Sequence, residues 1–418
     1  MHGRSAVAAW WAGLVLAGSA VPASAAVPPA EREALIALYQ AAGGGAWRQN
    51  AGWCAGPCPA GGTPTFNAPG TECGWYGVTC DAASAHVVAI ELPQNDLTGS
   101  LPPLDAFAGL QAFDVHLNAL AGPLPPLAGL TQLQRFDVHY NRFSGPVPAI
   151  AGMATLRYFD VFANQLSGPV PALDGLPALE VLNLDSNQLG GTIPPIAQLT
   201  SLRHFDVDSN ALTGPVPSPA GLASLEFFAV HNNQLSGGIP DLAGLGALQT
   251  FDASANQLTG PLPPLAGLTS LVYFAAHHNA LSGPIPPLGG LAALGTFDVG
   301  DNQLGGALPD LSGLAALQRF SVRANRLSGP LPSLAGLSSL QVFLVDANAL
   351  DGALPPAPPG LLPGQSALCP NAFERVDDAA WDAAVGQTPW WGAPPLCGDL
   401  VFADGFDGTG PGGAAGLE

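Results

Sequence analysis

Along most of this chain the apolar positions repeat with a period of 23 residues, and the repeat is anchored on one asparagine per unit. The asparagines are Asn95, Asn118, Asn141, Asn164, Asn187, Asn210, Asn233, Asn256, Asn279, Asn302, Asn325 and Asn348. Measured from each, apolar residues recur at −11, −8, −5, −3, +2 and +6, a Gly stands at +4 and a Pro at +7. The −5 and −3 pair alternates with polar neighbours, as in Phe113-Asp114-Val115, and predicts a strand buried on one face. A fixed period without insertion predicts a solenoid of stacked rungs rather than one closed core. Phe occupies −5 in ten of the twelve units, with Ile90 and Leu182 the exceptions, which predicts a column of stacked rings inside. An Asn buried at the turn can satisfy backbone groups of its own and the neighbouring rung with one amide. The twelve are therefore read as a structural ladder.

A stack exposes its core at both ends, so each end needs a cover. Ala30 to Ala42 has helical spacing, with Leu35, Leu38 and Tyr39 on one face, and Gly43-Gly44-Gly45 stops it. With Trp47, Trp53 and Trp75 this helix makes a suitable N-terminal cap over 26–83, ahead of repeats at 84–362. Cys54, Cys58, Cys73 and Cys80 fall in that cap; four cysteines permit three connectivities, and no Cys-x-x-Cys pair marks a zinc site. Beyond Asn348 the pattern fades through a Pro-rich run. Cys369 and Cys397 then bracket Trp381, Trp390 and Trp391, predicting a second disulfide-closed cap at 363–400. Asp377-Asp378 is expected to open a short helix there, and 401–418 to be a disordered tail.

Residues 1–25 have the layout of a secretory signal peptide: Arg4, an apolar run, then Ala23-Ser24-Ala25. Six cysteines beyond it fit an oxidising, extracellular destination. Every basic residue is Arg and the formal charge is −20, which excludes nucleic acid as a partner because phosphate neutralisation needs clustered basic side chains. Later apolar runs are broken by Gly and Pro, so no further membrane span is expected. No nucleophile elbow, His-Glu-x-x-His or phosphate loop is present; neither an enzyme, a cofactor nor a metal site is read, and a monomer is expected.

The motif Cys73-Gly-Trp75-Tyr-Gly77-Val-Thr-Cys80 and the recurring Gly-x-[Leu/Val/Ile]-Pro segment, such as Gly191-Thr-Ile193-Pro194, resemble plant-type leucine-rich-repeat proteins over about two-thirds of the chain. The resemblance implies an α/β-type solenoid, a right-handed horseshoe with one parallel sheet on the concave face and little helix on the convex side. It also implies a Cys73–Cys80 disulfide, leaving Cys54 to Cys58. Two departures stand out: the period is 23 where the family's is usually 24, and Phe replaces Leu at −5.

Positions −6, −4, −2 and −1 are expected to face out of the concave sheet. At −4 stand Glu91, Asp114, Asp137, Asp160, Asp206, Asp252 and Asp298, an acidic row common in the family consensus. The −2 and −1 positions supply His116, His139, Tyr140, Phe162, Asp185, Asp208, His231, His277, His278, Asp301 and Arg323; −6 adds Arg135, Tyr158, His204, Phe227 and Tyr273. Aromatic rings beside directional polar groups are what binding centres use. Asp185, Asp206 and Asp208 suggest at most a weak cation site, lacking the spacing of a calcium loop. His beside Asp should hold its proton more tightly, making recognition pH-dependent. The sequence therefore reads as a secreted, non-catalytic recognition protein that takes an extracellular protein, peptide or polysaccharide. A surface adhesion protein retained by its tail and an inhibitor of a wall-degrading enzyme are the alternatives.

Overall fold

The computed structural model describes residues 26–392; the leader, Cys397 and the tail lie outside them. The cap helix α1 spans Pro29–Ala41 and begins on proline, whose missing N–H costs nothing in a first helical turn. Leu35, Leu38 and Tyr39 are buried, as their spacing predicts. Glu31 also turns inward, where its carboxylate accepts the Val87 N–H at 2.7 Å and meets His86 Nδ1 at 2.7 Å. Tyr39, Trp47, Trp53 and Trp75 pack with ring centroids 4.7–5.6 Å apart. Disulfides Cys54–Cys58 and Cys73–Cys80 close this cap. Strand β1 (Val78–Cys80) pairs antiparallel with β2 (Val87–Glu91), covering the open edge of the sheet that follows.

From β2 onward one three-residue strand per rung joins the same sheet in parallel, from Ala112–Asp114 to Val342–Leu344. The register advances by one period, so Phe113 faces Phe136 and Asp114 faces Asp137. Each −5 ring therefore lands on the next. Phe113, Phe136 and Phe159 stack, Leu182 interrupts, and Phe205 resumes a column to Phe343 with centroids 5.2–5.7 Å apart. Each ring is fully buried, and each contributes roughly 1.5–3 kcal/mol of apolar transfer.

A second parallel sheet, also of 13 strands, runs from Thr98–Gly99 to Ala372–Phe373 through the residues just after each Asn. The sequence reading had one sheet. Most of its strands bury a single large apolar residue, as in Gln188–Thr192, too little alternation to read in advance. Its partners are offset by 21 residues, not 23: Thr98 faces Ala119. The Gly at +4 sits at φ of 76–85°, which a side chain at that place would resist.

The Asn ladder forms as the pattern implies. Asn210 Nδ2 donates to the carbonyls of Val207 at 3.2 Å and Asp208 at 2.8 Å in its own rung, and to Leu184 at 3.0 Å in the rung before. Its Oδ1 accepts the N–H of Leu189 at 2.9 Å. The residue before each ladder Asn is left-handed at φ of 49–54°, a turn these amide bonds hold in place. Asn95 instead grips the cap, exchanging bonds with the Gln49 backbone. The ladder has a member past the twelve: Asn371 accepts from Leu350 N at 2.9 Å and donates to Val345 O at 2.8 Å. The repeat thus runs on beneath the segment expected to be pure cap. There α2 (Ala379–Val385) is capped by Asp378, which accepts from the N–H groups of Ala380 and Trp381. Trp381 is buried with its ring 6.0 Å from Phe343, so an indole ends the Phe column. Cys369 is described, but its expected partner Cys397 is not.

Replacing Asn210 by Ala strands the Leu189 N–H and takes one of two donors from each of three carbonyls, a loss of roughly 2 kcal/mol or more. Exposed Gln188→Ala should stay within about 0.5 kcal/mol. Urea unfolding followed by circular dichroism checks both.

Candidate functional site

Of the −4 residues Glu91 is exposed as expected and Asp252 is half-buried, but Asp114, Asp137, Asp160, Asp206 and Asp298 are buried on the concave side. Each of these five has a backbone task, because the N–H two residues on lies outside the rung-to-rung ladder. Asp160 Oδ1 accepts Phe162 N at 3.0 Å, Asp206 accepts Asp208 N at 3.1 Å, and Asp298 accepts Gly300 N at 3.1 Å. This row is first of all a support for the turn.

At the N-terminal rungs Arg135 is the hub. Its guanidinium lies 2.5 Å from Asp137, 3.4 Å from Asp114 and 4.0 Å from the centre of the Tyr158 ring. Tyr158 donates its hydroxyl to Asp160 at 2.9 Å, so this ring is half-buried, not free. His116 and His139 stack 4.4 Å apart at 8°, each with Nδ1 on its own rung's carboxylate, Asp114 at 2.6 Å and Asp137 at 2.5 Å. Tyr140 and Phe162 flank them, 4.8 Å apart. Among the described residues His116, Asp137 and His139 form the one grouping whose potential metal-ligand atoms all lie within 4.8 Å; Asp185, Asp206 and Asp208 form no such set.

The middle rungs differ. Asp185, Asp206 and Asp208 come together there, with Asp252 nearby, and none meets an arginine. Asp185 accepts the Ser186 hydroxyl at 2.9 Å, and Asp208 accepts His231 N at 2.5 Å. His204 lies flat on Phe227, 4.3 Å away at 10°. Further along, Tyr273 is half-buried, His277 and His278 meet through Nδ1 at 2.9 Å, and Asp301 lies 3.8 Å from His278. Arg319 and Arg323 then neutralise Asp298 and Asp346.

Burial is the first cause of most charge shifts on this face. It pushes Asp160 up to about 6, reinforced by the Asp137 charge. It does the same to Asp185, at about 6, and drives Asp206 and Asp208 well above the ordinary range, Asp206 raised further by the Asp185 charge and Asp208 by the Asp206 charge. The expectation that histidines here hold their protons is met at one position and reversed at others. Burial would lower His139, but the bond and charge of Asp137 outweigh it and the net shift is upward. His204 is pushed down to about 4 and His231 is lowered, because burial dominates where Asp252 is the strongest opposing charge or none is.

The Leucine Rich Repeat family profile matches residues 178–198, the rung in which Leu182 replaces the usual Phe of this chain. No curated protein matches the chain. Among solved structures the PEPR1–AtPEP1 structure is similar at 28% identity and a TM-score of 0.72, over 82% of this chain and 48% of that one. A TDR receptor matches at 30% identity and 0.62, over 68% and 51%. The Arabidopsis receptor kinase HAESA, in complex with the peptide hormone IDA and the co-receptor SERK1, matches at 28% and 0.64, over 75% and 55%. The fold is that of leucine-rich-repeat ectodomains. The chain spans about half the length of the solved structures it matches.

Asp208→Asn keeps an oxygen for His231 N and removes a charge from the crowded middle. A carboxyl raised in the fold binds its proton more tightly folded than unfolded, so stability falls as pH rises above the unfolded value. The variant should therefore melt about 2 °C or more above wild type at pH 7.5, with the gain gone near pH 4. Melting curves at the two pH values check this.

Proposed function

We propose that this protein is a non-catalytic extracellular recognition protein that binds a peptide or protein segment across its concave face, centred on rungs 181–278. One observation carries the proposal: the middle of the face gathers carboxylates that no arginine neutralises, beside half-exposed rings of His204, Phe227 and Tyr273. Holding ionised Asp185, Asp206 and Asp208 together at neutral pH costs stability, and a bound cation recovers it. A basic side chain of the partner would bring that charge, and Phe227 offers it an aromatic face. Polysaccharide is the less favoured occupant, since the buried Trp47, Trp53, Trp75, Trp381 and Trp390 are all in the caps.

Support comes from the likeness to ectodomains solved with peptide ligands, although those proteins are about twice as long. The two cap disulfides suit an oxidising compartment. Among the described residues no helix is long and apolar enough to cross a membrane. Arg135, His139, Tyr140, Tyr158 and Phe162 form the N-terminal margin of the surface, and His231, His277 and His278 its far side.

A pull-down from extracellular fractions compares wild type with Tyr158→Ala/Phe227→Ala/Tyr273→Ala and with Asp208→Asn. Because the three rings are half-buried, the triple variant loses some stability, and circular dichroism must show it folded. Asp208→Asn has no such weakness: it should be the more stable protein and still capture less partner. Undiminished capture by both variants would place recognition elsewhere.

A further inference from the structure

We propose that His116, Asp137 and His139 form a binding site for a divalent transition-metal ion of the zinc type. The inference stands independently of the peptide proposal, for it rests on side chains of two adjacent rungs. The 23-residue register lays Asp114 against Asp137 and, two residues on, His116 against His139. Among the −2 positions this is where two histidines fall on neighbouring rungs; His231 and His277 are separated by Ser254.

The donor atoms are already gathered. His139 Nδ1 is 2.5 Å from Asp137 Oδ1, and His116 Nδ1 is 4.0 Å from Asp137 Oδ2. Tetrahedral zinc with bonds of 2.0–2.1 Å separates its ligands by about 3.4 Å. One of these distances must open and the other close by less than about 1 Å, within the reach of side-chain rotation at M–N and M–O bond lengths of that order. An ion placed there replaces the proton that His139 Nδ1 and Asp137 Oδ1 now share. Two imidazoles and one carboxylate are the donors of an open zinc site, in which water completes the shell. Both rings are about one-fifth exposed, at 21% and 19%, so water has access. Asp137 is fully buried, which fixes its carboxylate; Asp114, now on His116 Nδ1 at 2.6 Å, must yield that nitrogen to the ion. Calcium and magnesium prefer oxygen shells and are poor candidates. Arg135 opposes the ion through its pairing with Asp137, and so sets its affinity.

Isothermal titration of the full chain with Zn2+ at pH 7.5 tests the site. The expected result is a single site, weakened about tenfold or more in His116→Ala and in His139→Ala. It should be retained in His277→Ala/His278→Ala, which removes the other close histidine pair. Arg135→Gln should bind more tightly than wild type. Equal binding by wild type and both single variants, or no binding by wild type, overturns the site. Should the alanine variants misfold, imidazole 15N NMR of wild type decides: Zn2+ must move the Nδ1 resonances of His116 and His139, and unmoved resonances reject the proposal.

Discussion

One hydrogen-bonded asparagine amide per rung holds this molecule in register. From Asn118 to Asn348 each ladder Asn bonds two carbonyls of its own turn, one carbonyl of the rung before, and an N–H just after the preceding Asn, as at Asn210. It thereby ties both sheets and two rungs at a single point and pins a left-handed residue beside it. The strict 23-residue spacing fits this, since two of the four bonds cross from one rung to the next and depend on the register. The Phe column depends on that spacing, and so does every juxtaposition on the concave face. His116 meets His139, and His204 meets Phe227, because the ladder allows no slip.

Much of this architecture was legible from the period alone. The buried Phe and Asn columns, the helical cap with its tryptophans and the short Asp378-capped helix all follow from spacing and residue type. The second sheet was not, because strands such as Gln257–Gly260 bury one leucine and end in glycine, a pattern that reads as turn. Asn371 escaped for a different reason. It falls one period after Asn348 with Leu368 at −3 and Phe373 at +2, but Ser366 replaces the −5 ring and the Pro-rich run hides the rung. The surface was legible as a set of positions and not as an environment. Sequence spacing places Asp206 on the concave side but cannot tell that it is buried there. The balance of burial against a neighbouring carboxylate, in turn, shifts His139 upward, where Asp137 prevails, and His204 downward, where burial acts alone.

The middle of the face also shows stability and recognition pulling apart. A solenoid selected only for stability would not bury Asp160 and Asp206 and half-bury Asp185 and Asp208 within a few rungs. At both ends of the sheet arginine removes the strain, through Arg135 on one side and Arg319 and Arg323 on the other. Between them no arginine among the described residues does so, and that gap is where a cationic partner gains most.

The account's central claim is that a partner lies across the middle rungs of the concave sheet. Hydrogen exchange of the full chain, alone and bound to a captured partner, tests this most directly. Slowed exchange at the backbone amides that follow the short concave strands, from Asp185 through His231 to His277, is the predicted result. Slowing confined to the second sheet or to the caps, with these amides unchanged, would contradict it.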